Sequence, residues 1–120
     1  MFFQCNELKN INELQYLNTK YCINFKGMFQ GCYKLSDIKA LEKWNVINGK
    51  NFESMFGNCS SLSDIKVLEN WNVSNGNNFN SMFSYCSISN IKALENWNVS
   101  NGNNFEAMFI GCELLSDIEH

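Results

Sequence analysis

The chain has 120 residues, a net charge of −3, nine lysines and no arginine. That length suits one ordinary domain, and the charge lacks the basic excess on which nucleic-acid binding depends. A hydrophobic fraction of 45% argues against wholesale disorder, while apolar runs of only a few residues leave no segment able to span a bilayer and no visible signal peptide.

Read from the N-terminus, Met-Phe-x-x-Cys begins at Met1, Met28, Met55, Met82 and Met108, at intervals of 27, 27, 27 and 26 residues. Trp44, Trp71 and Trp97 keep the same beat. The last interval is shorter because CSSLSDI, starting at Cys59, becomes CSISNI at Cys86. A fixed period of this size is the mark of repeats that cannot bury their own apolar faces and must share a core with their neighbours. The units fall at approximately 1–27, 28–54, 55–81 and 82–107, with a partial unit at 108–120, in a single array.

Within one unit, Ile65 and Val67 alternate with Asp64 and Lys66, the pattern of a strand. A loop with Trp71 follows, then an Asn-Gly turn at Asn75-Gly76, repeated at Asn48-Gly49 and Asn101-Gly102. Phe79, Met82 and Phe83 then stand at helical spacing, with Asn77 or Asn78 able to cap a short helix. The expected fold is an α/β solenoid: about four leucine-rich-repeat-like units, each giving a short strand to a parallel sheet and a short helix or turn to the opposite side. The core columns expected are Leu8/Leu35/Leu62/Ile88/Leu115, Ile11/Ile38/Ile65/Ile91/Ile118, Leu14/Leu41/Leu68/Leu94, the tryptophans, Phe25/Phe52/Phe79/Phe105, and the Met, Phe and Cys of the motif. The first unit departs from this, with Leu17-Asn18-Thr19 for Trp-Asn-Val and Cys22 for Gly, and reads as an end unit.

The recurring MF-x-x-C-x-x-L, followed by a strand-like segment and an Asn/Phe-rich stretch, resembles the 26-residue repeat of BspA-like leucine-rich repeat surface proteins. The resemblance covers essentially the whole chain. It implies a non-enzymatic, surface-displayed or secreted protein-binding module serving adhesion or host contact. Two other readings stand beside it: a structural spacer, and an intracellular scaffold in the cytoplasm with no ligand of its own.

Cys5, Cys32, Cys59, Cys86 and Cys112 share one repeat position and read as a reduced, buried ladder, because a column of five cannot pair completely. Their spacing is not that of a zinc site. The single histidine, His120, is the last residue, and no phosphate-binding glycine motif occurs, so no catalytic residue, cofactor or metal is expected. The column Asn18/Asn45/Asn72/Asn98 is expected to hydrogen-bond loop backbone.

Two surfaces are candidates for a protein partner. The residues between Phe and Cys change from unit to unit, which points to exposure; these are Gln30, Asn58, Ser84, Tyr85 and Ile110. The second surface is the expected strand face with Asp37, Lys39, Asp64, Lys66, Asn90 and Lys92, whose alternating charges also suit a solvated surface. Neither end shows a polar cap, so the sequence reads as an excerpt of a longer chain whose open last strand favours end-to-end self-association.

Overall fold

Two segments of each unit settle its shape, and neither is regular secondary structure. The computed structural model describes residues 9–115. The expectations at Cys5, Leu8, Ile118 and His120, and the open last strand, lie outside them.

The first segment is the one read as a strand. Asp64 Oδ1 accepts the backbone N–H of Lys66 at 3.0 Å, and this curls the chain at Ile65 (φ −114°, ψ 20°). A 3-10 helix, η3 (Lys66–Asn70), follows. The same turn starts η2 (Lys39–Lys43) from Asp37, η4 (Lys92–Leu94) from Asn90, and η1 (Asn12–Leu14) from Asn10. Ile65 and Leu68 are buried three residues apart, as a 3-10 turn requires, while Val67 is only half-buried. The apolar spacing therefore has a period of three, and the two-residue alternation read from Ile65 and Val67 does not hold.

The second segment is the one read as a helix. The N–H groups of Phe79, Ser81, Phe83 and Tyr85 leave the unit and reach the carbonyls of Asn104, Glu106, Met108 and Ile110 at 2.7–3.0 Å. The intervening N–H groups of Met82, Ser84 and Cys86 close three-residue turns onto Phe79, Ser81 and Phe83. With every second donor spent on the neighbouring unit, the i→i−4 ladder of an α-helix cannot form. The pattern recurs at Phe25–Gly31 and Phe52–Asn58, each bonded one unit onward at 2.7–2.9 Å.

The expected solenoid of strands and helices is thus corrected. Among the described residues there is no α-helix and no strand, only the four 3-10 turns and isolated parallel bridges at Asn10–Asp37, Asn24–Asn51, Asn51–Asn78 and Asn78–Asn104. The chain folds into a compact body of 36 × 31 × 20 Å with a Cα radius of gyration of 13.0 Å, close to the ~14 Å of a globular chain this long.

Side-chain columns hold neighbouring units in register. Phe25, Phe52, Phe79 and Phe105 stack with centroids 5.3–5.5 Å apart, and Phe29, Phe56, Phe83 and Phe109 with centroids 5.5–5.8 Å apart. Such pairs contribute about 0.5–1.5 kcal/mol each beyond the area they bury. Trp44, Trp71 and Trp97 each donate the indole N–H at 2.9 Å to the carbonyl of Leu14, Leu41 and Leu68 in the preceding unit. The Asn-Gly turns close as read, with Gly49, Gly76 and Gly102 bonded to Val46, Val73 and Val99. A Cβ on Gly76 would stand 2.6 Å from the Phe79 ring, so that position requires glycine for close approach.

Candidate functional site

Asparagine is the residue that joins these turns, and it does so from three columns in two ways. Asn18, Asn45, Asn72 and Asn98 accept the N–H two residues on at 3.0–3.1 Å, the loop-backbone role expected of that column. Asn24, Asn51, Asn78 and Asn104 do the same at the start of the Met-Phe segment. Asn48, Asn75 and Asn101 donate the side-chain amide at 2.7 Å to Lys20, Ile47 and Ser74 of the preceding unit. Among the described residues, no buried side-chain nitrogen or oxygen lacks a partner.

This accounting places one of the two expected surfaces. Asp37, Asp64 and Asn90 are exposed, but each spends an oxygen on the N–H of Lys39, Lys66 or Lys92 at 2.9–3.1 Å. Their first role is therefore to turn the chain. The structure brings Asp64, Lys66, Asn90 and Lys92 together around a groove of about 350 Å³ between η3 and η4, with Glu69 and Glu95. Lys66 pairs with Glu69 at 3.3 Å across an exposed turn. Asp37 and Lys39 do not line this groove; Lys39 lines a smaller one of about 270 Å³ between η1 and η2. Both grooves carry charges of both signs. Among the described residues, no three His, Cys, Asp or Glu side chains converge as a metal site would require.

The variable residues between Phe and Cys obey a backbone rule. Gly31, Asn58, Tyr85 and Gly111 all have positive φ, between 60° and 77°. Each is the third residue of a four-residue turn closed by the following cysteine, where a type II turn needs that conformation. Asn58 and Tyr85 are exposed, and so is Ile110. Gln30 is half-buried. Ser84 is buried, which corrects the expected exposure: its hydroxyl lies against the turn of the preceding unit, where a Cβ on Gly57 would approach it to 3.2 Å. Variation at this position therefore follows the room left by the adjacent unit and not solvent access alone.

Tyr85 and Ile110 are neighbours, joined by the Tyr85 N–H to Ile110 carbonyl bond of 2.8 Å, and each is 51% exposed. The Tyr85 ring lies over Gly111, where any Cβ would overlap it. With Ser60, Ser87, Glu113 and Leu114 it lines a groove of about 420 Å³. The sequence reading missed Leu114, 59% exposed, and a set of exposed apolar residues in the first unit: Tyr16, Leu17, Tyr21 and Ile23. The signal was present in the repeat alignment, because Tyr16, Tyr21 and Ile23 stand in columns that are Lys or Asn in the three later units.

The cysteine column is interior. Cys59, Cys86 and Cys112 donate their thiols to the carbonyls of Phe29, Phe56 and Phe83 at 3.0–3.2 Å. Burial, and then the neighbouring Cys32 thiol, push Cys59 up to about 12. Burial likewise raises Cys86 and Cys112. These groups are hydrogen-bonded packing elements and poor nucleophiles.

No curated protein and no solved structure matches the chain. The resemblance to BspA-like leucine-rich repeats is not upheld, since no leucine-rich repeat family is found; the segment that would supply that repeat's strand is here an Asx turn and a 3-10 helix. What matches, over residues 1–119, is the family described as "Mycoplasma protein of unknown function, DUF285", and the chain belongs to it.

Proposed function

We propose that this chain is a non-enzymatic protein-binding module whose contact face centres on Tyr85 and Ile110. The carrying observation is that a repeated buried frame leaves these two large side chains half-exposed, side by side, at positions that change between units. Tyr85 and Leu114 line a shallow groove together with Glu113, exposed Ile110 is bonded to Tyr85 through the backbone, and such exposed aromatic and aliphatic side chains have the composition of a protein contact. The same frame engages the groups that a reaction would need: the Asp and Asn oxygens hold turns, and the thiols are buried and raised. Display at a cell surface followed from the leucine-rich repeat resemblance alone.

The test is a pull-down read by mass spectrometry, comparing the chain with Tyr85→Gly/Ile110→Gln. Both replacements copy residues found in the same columns, Gly31 and Gln30, so the variant keeps the frame. A partner retained by the parent and lost by the variant, at an unchanged melting temperature, supports the reading. A partner held equally by both moves the site to the charged grooves between the 3-10 turns. The absence of any saturable partner leaves the spacer reading in its place.

A further inference from the structure

Charge is divided unevenly along this chain. Residues 1–50 hold seven lysines and four carboxylates, whereas residues 51–120 hold two lysines and eight carboxylates. Residues 14–36 contain no Asp or Glu at all. On this basic part sit Tyr16, 85% exposed, Leu17, 51%, Tyr21, 73%, and Ile23, 56%.

The repeat supplies its own control. The column of Tyr16 holds Lys43, Asn70 and Asn96 in later units, that of Tyr21 holds Asn48, Asn75 and Asn101, and that of Ile23 holds Lys50, Asn77 and Asn103. The frame needs no apolar residue at any of the three, and Lys43, Asn70 and Asn96 are exposed as Tyr16 is. Three polar columns thus turn apolar together, in one unit only.

Exposed lysines stand beside two of them. Lys20 places its ammonium 5.4 Å from the Tyr21 ring centroid. Lys50 donates its N–H to the Ile23 carbonyl at 2.8 Å, which puts it alongside Ile23. Lys26 lies 3.9 Å from Glu53 in a partly exposed pair, and Glu13 is the nearest acid on the N-terminal side in sequence.

We propose that this face of the first unit docks on an anionic lipid surface. Tyrosine rings with an apolar body and a polar tip settle at the headgroup level, and Leu and Ile enter just below it. Lysines around them add electrostatic attraction to anionic headgroups. The side chains stand outward singly, at 51–85% exposure. That suits a fluid, planar partner, which moulds itself around them. The contact is peripheral, since no helix among the described residues is long and apolar enough to cross a membrane.

The experiment is co-sedimentation with phosphatidylcholine vesicles, with and without phosphatidylglycerol. The chain is expected to partition onto the mixed vesicles and not onto phosphatidylcholine alone, with binding weakened by added salt. Tyr16→Asn/Tyr21→Asn/Ile23→Asn, which copies Asn70, Asn75 and Asn77 of the third unit, abolishes binding at an unchanged melting temperature. Lys20→Gln/Lys26→Gln, which leaves the apolar residues intact, lowers the partition coefficient about thirtyfold, at ~1 kcal/mol for each lysine. Absence of sedimentation, equal binding to neutral vesicles, or indifference to both variants overturns the proposal. So does self-association in light scattering that the triple variant removes without any vesicle binding; this face would then belong to a second copy of the chain.

Discussion

At the residue scale, the consequential choice is which side chains occupy positive φ. Two columns do so in every fully described Met-Phe segment: Gly27, Ser54, Ser81 and Ala107, and Gly31, Asn58, Tyr85 and Gly111. The left-handed region costs a residue with a Cβ about 1–2 kcal/mol. Glycine is not free of cost there, because it loses more freedom on folding. Ala107, at φ 57° and half-buried, carries little beyond its methyl group. Ala107→Gly is therefore expected to stabilise the chain by ~0.5–1 kcal/mol, visible as a higher urea midpoint at constant slope. An unchanged or lower midpoint would show that the methyl contact outweighs the strain. Tyr85 occupies the same region at φ 60° with its ring half-exposed. A large residue kept in a strained place is the kind of feature that a binding role explains.

At the scale of elements, the 3-10 turns depend on the residue before them. Each begins where an Asn or Asp oxygen accepts the N–H two residues later. Asp64→Ala removes that acceptor and is expected to cost ~1 kcal/mol. Asp64→Asn keeps it and should be nearly neutral, as Asn90 already serves η4. Chemical denaturation of the two variants reads this directly. Equal loss in both would assign the effect to the charge and not to the turn. The strand expected here followed from alternation at Ile65 and Val67, yet Ile65 and Leu68 were also visible three residues apart. The Asp64 hydrogen bond decides between those periods, and that bond is a local geometry which the apolar pattern does not encode.

At the scale of the whole molecule, the body is held by columns running through successive units: two phenylalanine stacks, the indole bonds, the amide bonds of Asn48, Asn75 and Asn101, and the thiols. Because burial raises Cys59 from an ordinary 9.0 to about 12, the folded chain holds that proton more tightly than the unfolded one. Stability is then fully present below pH 9, falls as the pH rises above it, and stops falling above about 12. Cys86, raised by burial in the same direction, adds to the loss. A melting temperature that declines above pH 9, and declines less in a Cys59→Ala/Cys86→Ala variant than in the parent, is the expected result. A parallel decline in both would place the effect elsewhere. At neutral pH, iodoacetamide should label half-buried Cys22 well before Cys59, Cys86 or Cys112, as read by peptide mass spectrometry.

The repeat, its period, the shared core and the interior cysteine column were legible in the amino-acid sequence. Recurrence along one chain reports which positions a common packing frame demands, and Phe52, Phe56, Cys59, Leu62, Leu68 and Trp71 are all buried as their columns require, whereas Phe105, in the column of Phe52, is 42% exposed. The candidate sites were legible in part. Asn58, Tyr85 and Ile110 are exposed as their variability suggested, while Ser84 is covered by the unit beside it and the first-unit aromatics went unread. What the sequence could not decide was the backbone path between fixed columns. The Met-Phe segments at Phe25–Gly31, Phe52–Asn58 and Phe79–Tyr85 choose turns over a helix because half of their N–H groups find carbonyls in the next unit. Those acceptors lie about one repeat away in sequence, and only the tertiary structure brings them within reach.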